Sequence, residues 1–197
     1  MPDREAARER VLDAAGELFY GRGVQAVGMD AVRDASGVPL KRLYQLFPSK
    51  EALVLAFLRQ RDGRWQQALA EYVEARPTPE ERITAVFDWL HGWFSRPDYR
   101  GCAFVNSFGE MGAVSPDVAA QARRHKRAFH EYLARLVTAS GRPAALAGQL
   151  ALLAEGAMTT AAILGTPESA RQARDAAFAL MRTHPGPALP DRTGTGG

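Results

Sequence analysis

Four side chains within five residues set the first chemical question. Lys41, Arg42, Tyr44 and Gln45 follow the short stretch Ser36-Gly37-Val38-Pro39, and Lys50 comes soon after them. Lysine and arginine donate to phosphate oxygens and guanine edges, glutamine pairs with adenine, and a tyrosine hydroxyl reaches phosphate. The surroundings share this sign of charge. Residues 33–61 hold six basic side chains (Arg33, Lys41, Arg42, Lys50, Arg59, Arg61) against Asp34 and Glu51, a local net of +4. Such a field attracts a polyanion. By itself it equally suits an ordinary solvated face.

Other chemistries find little support. Cys102 is the single cysteine, which excludes an intrachain disulfide and a cysteine-based zinc site and suits a reducing, cytoplasmic compartment. There is no Walker loop, no G-x-G-x-x-G after a strand, no HExxH and no G-x-S-x-G. A nucleophile built from Cys102 and a histidine would sit in an apolar setting. No enzyme, metal or cofactor is expected. The charged start Met1-Pro2-Asp3-Arg4-Glu5 has no apolar stretch behind it, so no secretory signal is expected. Residues 143–167 carry one charge, Glu155, but are rich in Ala, Gly and Thr. A membrane span is normally greasier, so a soluble helix packed on most sides is expected there.

These side chains need elements to hold them, and the 197 residues, 46% of them hydrophobic, are enough for a buried core. The periodicity is helical almost throughout, without the alternation of strands. Val11, Leu12, Ala15, Leu18 and Phe19 mark a helix over 4–20, ended by Gly21 and Gly23. A short helix over 29–36 points Met29, Val32 and Ala35 inward, and Gly37 breaks it. Pro39 suits the first position of a third helix, 39–46, which must stop before Pro48. Ser49 can cap a long fourth helix, 49–74. Further helices are expected over 78–95, 102–112, 116–139, 144–164 and 167–183. The fold class is therefore all-α, with about nine helices: a compact three-helix head, then an antiparallel bundle. The domains are 1–48 and 49–183. The tail 184–197, rich in Gly and Pro, is expected to be disordered.

Helix, glycine-containing turn, helix is the arrangement of a DNA-binding helix-turn-helix. Val38, Leu43 and Phe47 would be buried, leaving Leu40, Lys41, Arg42, Tyr44 and Gln45 outside. Residues 8–58 resemble the N-terminal domain of the TetR family of transcriptional regulators. The matching marks are Leu18-Phe19 with Arg22-Gly23, Met29 with Val32, Ser36-Gly37-Val38, Leu43-Tyr44, and Phe47-Pro48-Ser49-Lys50-Glu51-Ala52-Leu53. The resemblance implies an all-α homodimer on a palindromic DNA operator, usually a repressor released by a small ligand. It places Tyr44 and Lys50 on phosphates, and Lys41, Arg42 and Gln45 where bases are read, with Pro39 and Leu40 at the start of the same helix. The sequence departs from the family pattern at Gly28, Pro39, Lys41 and Leu46, which bears on the operator sequence. A helical interaction protein that has lost specific DNA binding is the alternative reading.

For the bundle, Arg100-Gly101-Cys102-Ala103-Phe104-Val105-Asn106 resembles an "RGCxFxN" stretch in one branch of the same family. Asn106 lies in an apolar run, as a ligand hydrogen bond or as a polar contact between helices. Trp65, Phe87, Trp89, Trp93, Phe94, Phe104, Phe108 and Phe129, with Met111 and Met158, would suit an apolar or aromatic effector as a group, and plain core packing one by one. His125 lies in the basic run Arg123–Arg127, either a solvated face or part of an anionic site. The helices at 144–164 and 167–183 are the expected homodimer contact, since the family pairs its last two long helices across a twofold axis.

Overall fold

The computed structural model describes residues 2–184, and the tail expectation for 184–197 lies outside them apart from His184. Nine helices and no strands occur among the described residues: α1 (Pro2–Arg22), α2 (Met29–Ser36), α3 (Leu40–Leu46), α4 (Lys50–Glu74), α5 (Pro79–Phe94), α6 (Ala103–Met111), α7 (Pro116–Ala139), α8 (Ala145–Leu164) and α9 (Glu168–Thr183).

Local chemistry explains most boundaries. Ser49 accepts from the Ala52 amide, and Thr78 and Glu81 form a reciprocal capping box at the start of α5. Ser115 caps α7 through the Val118 amide. Gly23 and Gly37 have positive φ, +86° and +66°, and each donates its amide back to the preceding helix. Pro39 is the residue before α3 rather than its first member. Its ψ of 142° is extended, so the helix begins at Leu40. Ala35 faces solvent, not the core, because the inward stripe of α2 needs only Val32 and Ser36.

α1, α2 and α3 close on Val11, Leu12, Phe19, Val32, Val38, Leu43 and Phe47, each at most 3% exposed. The same apolar cluster continues without a break through α4 into the bundle, where Leu58, Phe87, Phe129, Leu133 and Leu150 are buried. α5, α7, α8 and α9 pack on one another, with α4 joining head to bundle.

α8 is long and apolar enough to cross a membrane, with a mean hydropathy of 1.3, yet 44% of its apolar window is buried inside the fold. It is not packed on most sides as the composition suggests. Leu152, Ile163 and Leu164 stay 67–77% exposed. The physical reason is geometric: one stripe of the helix meets α5, α7 and α9, and the opposite stripe stays exposed among the described residues.

At Gly37, in the turn that sets α3 against α2, the backbone demands glycine. Gly37→Val forces a β-branched residue into the left-handed region and is expected to cost ~1–2 kcal/mol of stability, read by urea denaturation.

Candidate DNA interface and effector cleft

The turn between α2 and α3 is held by three local bonds. Gly37 N donates to Arg33 O at 2.9 Å, Ser36 Oγ donates to the same carbonyl at 3.4 Å, and Val38 N donates to Ser36 Oγ at 3.3 Å. Val38 plugs the angle between the helices, being 1% exposed. Leu43 and Phe47 then pin α3 to the head, and the Arg8 guanidinium stands 5.5 Å over the Phe47 ring. With those two inward, helical geometry turns Lys41, Tyr44 and Gln45 to solvent and leaves Leu40 and Arg42 half-buried at the edges. Lys50, at the start of α4, reaches back to Gln25 O at 3.4 Å, so it flanks the exposed face of α3. The residues expected to meet DNA are thus displayed on one side of the head. Gly28 leaves α2 without a side-chain cap.

The head is tied to the bundle at two points besides α4, and a third bond holds the start of α4 itself to that of α7. Tyr20 Oη donates to Gly101 O and accepts from Arg100 N, both at 2.9 Å. Gln25 is gripped by Glu110 at the end of α6, through its amide (2.6 Å) and its side chain (2.5 Å). Ser115 donates to Glu51. These bonds join both ends of the α6 segment to α1 and loop 23–28 of the head.

The expected effector residues separate into different environments. Trp65 and Trp93 border an open cleft of about 580 Å³ between α1, α4 and α5. Trp65 and Phe129 also border a smaller cavity of about 270 Å³ between α4 and α7. Phe87, Phe104 and Met158 are sealed in the core at 0–2% exposure, and Met111 packs against it from the side. Phe108 is exposed, as is Asn106, whose Nδ2 donates to Arg100 O at 2.8 Å and closes a turn. The reason is the helical period of α6. Its inward face is Ala103, Phe104 and Ser107, which sends Val105, Asn106 and Phe108 outward.

His125 is not on a solvated basic face. It is 3% exposed, stacked on Phe104 with ring centroids 3.7 Å apart, and its Nδ1 lies 2.7 Å from Asp62 Oδ1. The next residue, Lys126, pairs with Glu155 at 2.5 Å and lies 3.4 Å from Cys102 Sγ. Burial opposes the charge on His125, but hydrogen bonds to Asp62 and Cys102 outweigh it and raise its pKa above 6.5. Burial likewise opposes the Asp62 charge, and hydrogen bonds from His125 and Gln66 win, lowering its pKa below 3.8. For Cys102 the burial effect is overcome by His125 and then Lys126, which hold the thiol below 9.0.

The signs give a defined pH window. The histidine contribution is complete below pH 6.5 and fades as pH rises through the raised folded value. The aspartate contribution is present above 3.8 and fades as pH falls through its lowered value. His125→Gln is expected to cost ~1–3 kcal/mol at pH 6, since it strips the half-buried Asp62 carboxylate of its charged partner and leaves it Gln66. The variant is also expected to lack the alkaline decline of the wild type. Urea denaturation across a pH series checks both.

Sequence reasoning passes over Tyr20 and Asp62, and it counts Arg61 only in the basic field and Trp89 only among the aromatics. Tyr20 and Arg61 form a stack across the α1–α4 seam, with the guanidinium 3.7 Å from the ring centroid. The available signal was the spacing of Arg61 and Trp65, four apart on one face of α4.

A glycine-turn head with a basic, outward-facing third helix, carried on an all-α bundle, defines a helix-turn-helix DNA-binding regulator. The family model for bacterial regulatory proteins of the tetR family matches residues 11–57. The chain is 34% identical over 124 residues to the HTH-type transcriptional activator FasR of Mycolicibacterium smegmatis, covering 61% of this chain and 53% of FasR. It is 26% identical to the HTH-type transcriptional regulator UidR of Escherichia coli, covering 90% of this chain and 89% of UidR. A TetR-family transcriptional regulator from Streptomyces coelicolor has the same fold, with a TM-score of 0.84 and 27% identity, over 91% of this chain and 96% of that one. The chain belongs to the TetR family of transcriptional regulators, and it is a DNA-binding regulator, not an enzyme.

Proposed function

We propose that the chain is a cytoplasmic, ligand-responsive repressor that binds a palindromic operator as a homodimer. Residues 1–48 serve as the DNA-binding head and 49–183 as the effector and dimerisation domain. The observation that carries the DNA contact is the display of Lys41, Arg42, Tyr44 and Gln45 opposite the buried pair Leu43 and Phe47. Arg42, Lys41 and Gln45 read bases. Tyr44 and Lys50 take phosphates, with Pro39 and Leu40 setting the entry of α3.

The dimer contact is the open side of α8 and α9. Gly148, Leu152, Gly156, Thr159 and Ile163 recur every three or four residues along α8, all exposed, and Phe178 of α9 is 55% exposed. A helical stripe of small and apolar residues is what a twofold four-helix contact buries. The other face of α9, Ala173, Ala177 and Met181, is already buried within the protomer, so those residues do not serve between protomers.

Ligand response is supported by the ties between head and bundle. A ligand that shifts α4 or α6 must move loop 23–28 and α3 with them, through Glu110, Gln25 and Tyr20. DNA and ligand then weaken each other's binding by the same factor. Occupancy of a promoter by a dimer blocks that DNA without further contacts, which is the ground for assigning repression. FasR is named an activator, so the sign must be read directly. The test is selection of genomic fragments on the purified protein across a salt series, followed by transcription from the enriched promoter. Enrichment of a palindrome and higher transcription without the protein are expected. Binding without enrichment, fading steeply with salt, would reduce the interface to a basic surface.

A further inference from the structure

The cleft between α1, α4 and α5 is open, while most of the aromatic centre of the bundle is packed shut. Its floor and rim differ in charge. Arg61 sits at the floor, half-buried, stacked on Tyr20, and among the described residues no carboxylate lies within ion-pair distance of it. Burial pulls its pKa down, the mark of a cation whose desolvation is not balanced by an anion. One turn on, Trp65 lines the same wall, and its buried Nε1–H has no acceptor. Trp89 and Trp93 complete the apolar side, with centroids 5.2 Å and 5.8 Å from that of Trp65. Both are half-buried and keep indole surface open to the cleft. The carboxylates of the cleft are at its mouth and exposed. Asp13 pairs with Arg64 and Asp98 with Arg96, both at 3.4 Å, and Glu17 stands beside them.

We propose that this cleft binds a planar aromatic monocarboxylate, its acid group paired with Arg61 and its ring laid against Trp89 and Trp93. The volume of about 580 Å³ falls in the range of small-molecule sites. A half-buried guanidinium without an ion-pair partner selects a negative group, and its fork matches a carboxylate. At the rim Asp13, Glu17 and Asp98 stand against Arg64 and Arg96, a net of −1, which favours a ligand with one negative charge over one with two. Indole faces select a flat ring over an aliphatic chain. The site touches α1 of the head and α4 and α5 of the bundle at once, so its ligand fixes the angle between them. The regulatory consequence rests on the ligand response proposed above; binding at the cleft does not.

The full chain is titrated calorimetrically with 2-naphthoate and, separately, with its neutral analogue 2-naphthamide. The chain's three tryptophans all line the cleft, so their emission reports the same event. The expected result is one 2-naphthoate per protomer, bound about tenfold to a hundredfold tighter than the amide. Arg61→Met is expected to abolish that preference, and Trp89→Ala to weaken both compounds alike. Equal affinity for the two compounds, a preference that survives Arg61→Met, or no binding of either at millimolar concentration overturns the proposal. If Arg61→Met does not fold, Arg61→Gln is read in its place. Affinity for the enriched palindrome is measured with and without 2-naphthoate. Binding that depends on Arg61 but leaves DNA affinity unchanged upholds the site and counts against the ligand response. Loosened DNA with binding indifferent to Arg61 does the reverse.

Discussion

Leu152→Arg combined with Phe178→Arg is expected to give a folded monomer of 21.5 kDa that has lost most of its operator affinity. The two side chains are 72% and 55% exposed in the single chain, so charging them disturbs little of the packing within the protomer. Helix content and cooperative unfolding should persist. Across a twofold axis the same arginines meet their own copies, and four like charges are forced into an apolar seam. Loss of the dimer separates the two heads. The second half-site is then no longer bound from a high local concentration, which lowers apparent affinity by ~10²-fold or more. Analytical ultracentrifugation gives the mass, and operator titration gives the affinity. A variant that remains a dimer would move the interface away from α8 and α9. A monomer with undiminished affinity would remove the need for two heads on one site.

The sequence carried the head far better than the bundle, for physical reasons. Ser36-Gly37-Val38 and Phe47-Pro48-Ser49 are local devices: a left-handed turn, a plug and a cap, each acting within a few residues of its own position. Such devices are legible one residue at a time. The bundle residues are not. Phe87 and Trp93 are both apolar and both on α5, yet one is sealed and the other faces a cleft, and only the packing of α1 against α4 and α5 decides between them. Asn106 was read from its apolar neighbours, whereas a short helix sends every third or fourth residue inward and the rest out. His125 was read from its basic neighbours, whereas a step of one residue turns a helix by a quarter or more, which sends His125 inward from between exposed Arg124 and half-buried Lys126. The Asp62–His125 pair joins residues 63 apart, and the Tyr20–Gly101 bond residues 81 apart. No periodicity in a single sequence encodes such pairs.

Arg42→Ala and Lys50→Ala are expected to damage DNA binding in different ways, and the difference tests the division of roles on α3. Arg42 lies on α3 between Lys41 and the buried Leu43, half-buried at the edge of the exposed face, and is the proposed reader of base edges. Its loss should cost ~1–3 kcal/mol per half-site, and it occurs in both halves of a dimer. Affinity for random DNA should change far less, so the specificity ratio collapses. Lys50 sits at the start of α4, steadied by Gln25 O, where it flanks the face without entering it. Its removal should weaken specific and random DNA alike and reduce the salt slope by ~1 per protomer, because one counterion fewer is released by each head. The distinction matters more here because Gly28 provides no capping side chain and Pro39 no hydroxyl or amide hydrogen at the entry to α3. With those backbone contacts missing, Lys50 and Tyr44 are expected to carry a larger share of the proposed phosphate anchoring, with the charge of Lys41 beside them. Salt titrations of both variants on the enriched palindrome and on a scrambled duplex separate the cases. An equal loss on both duplexes for Arg42→Ala would make it a phosphate anchor, and would shift base reading to Lys41 and Gln45.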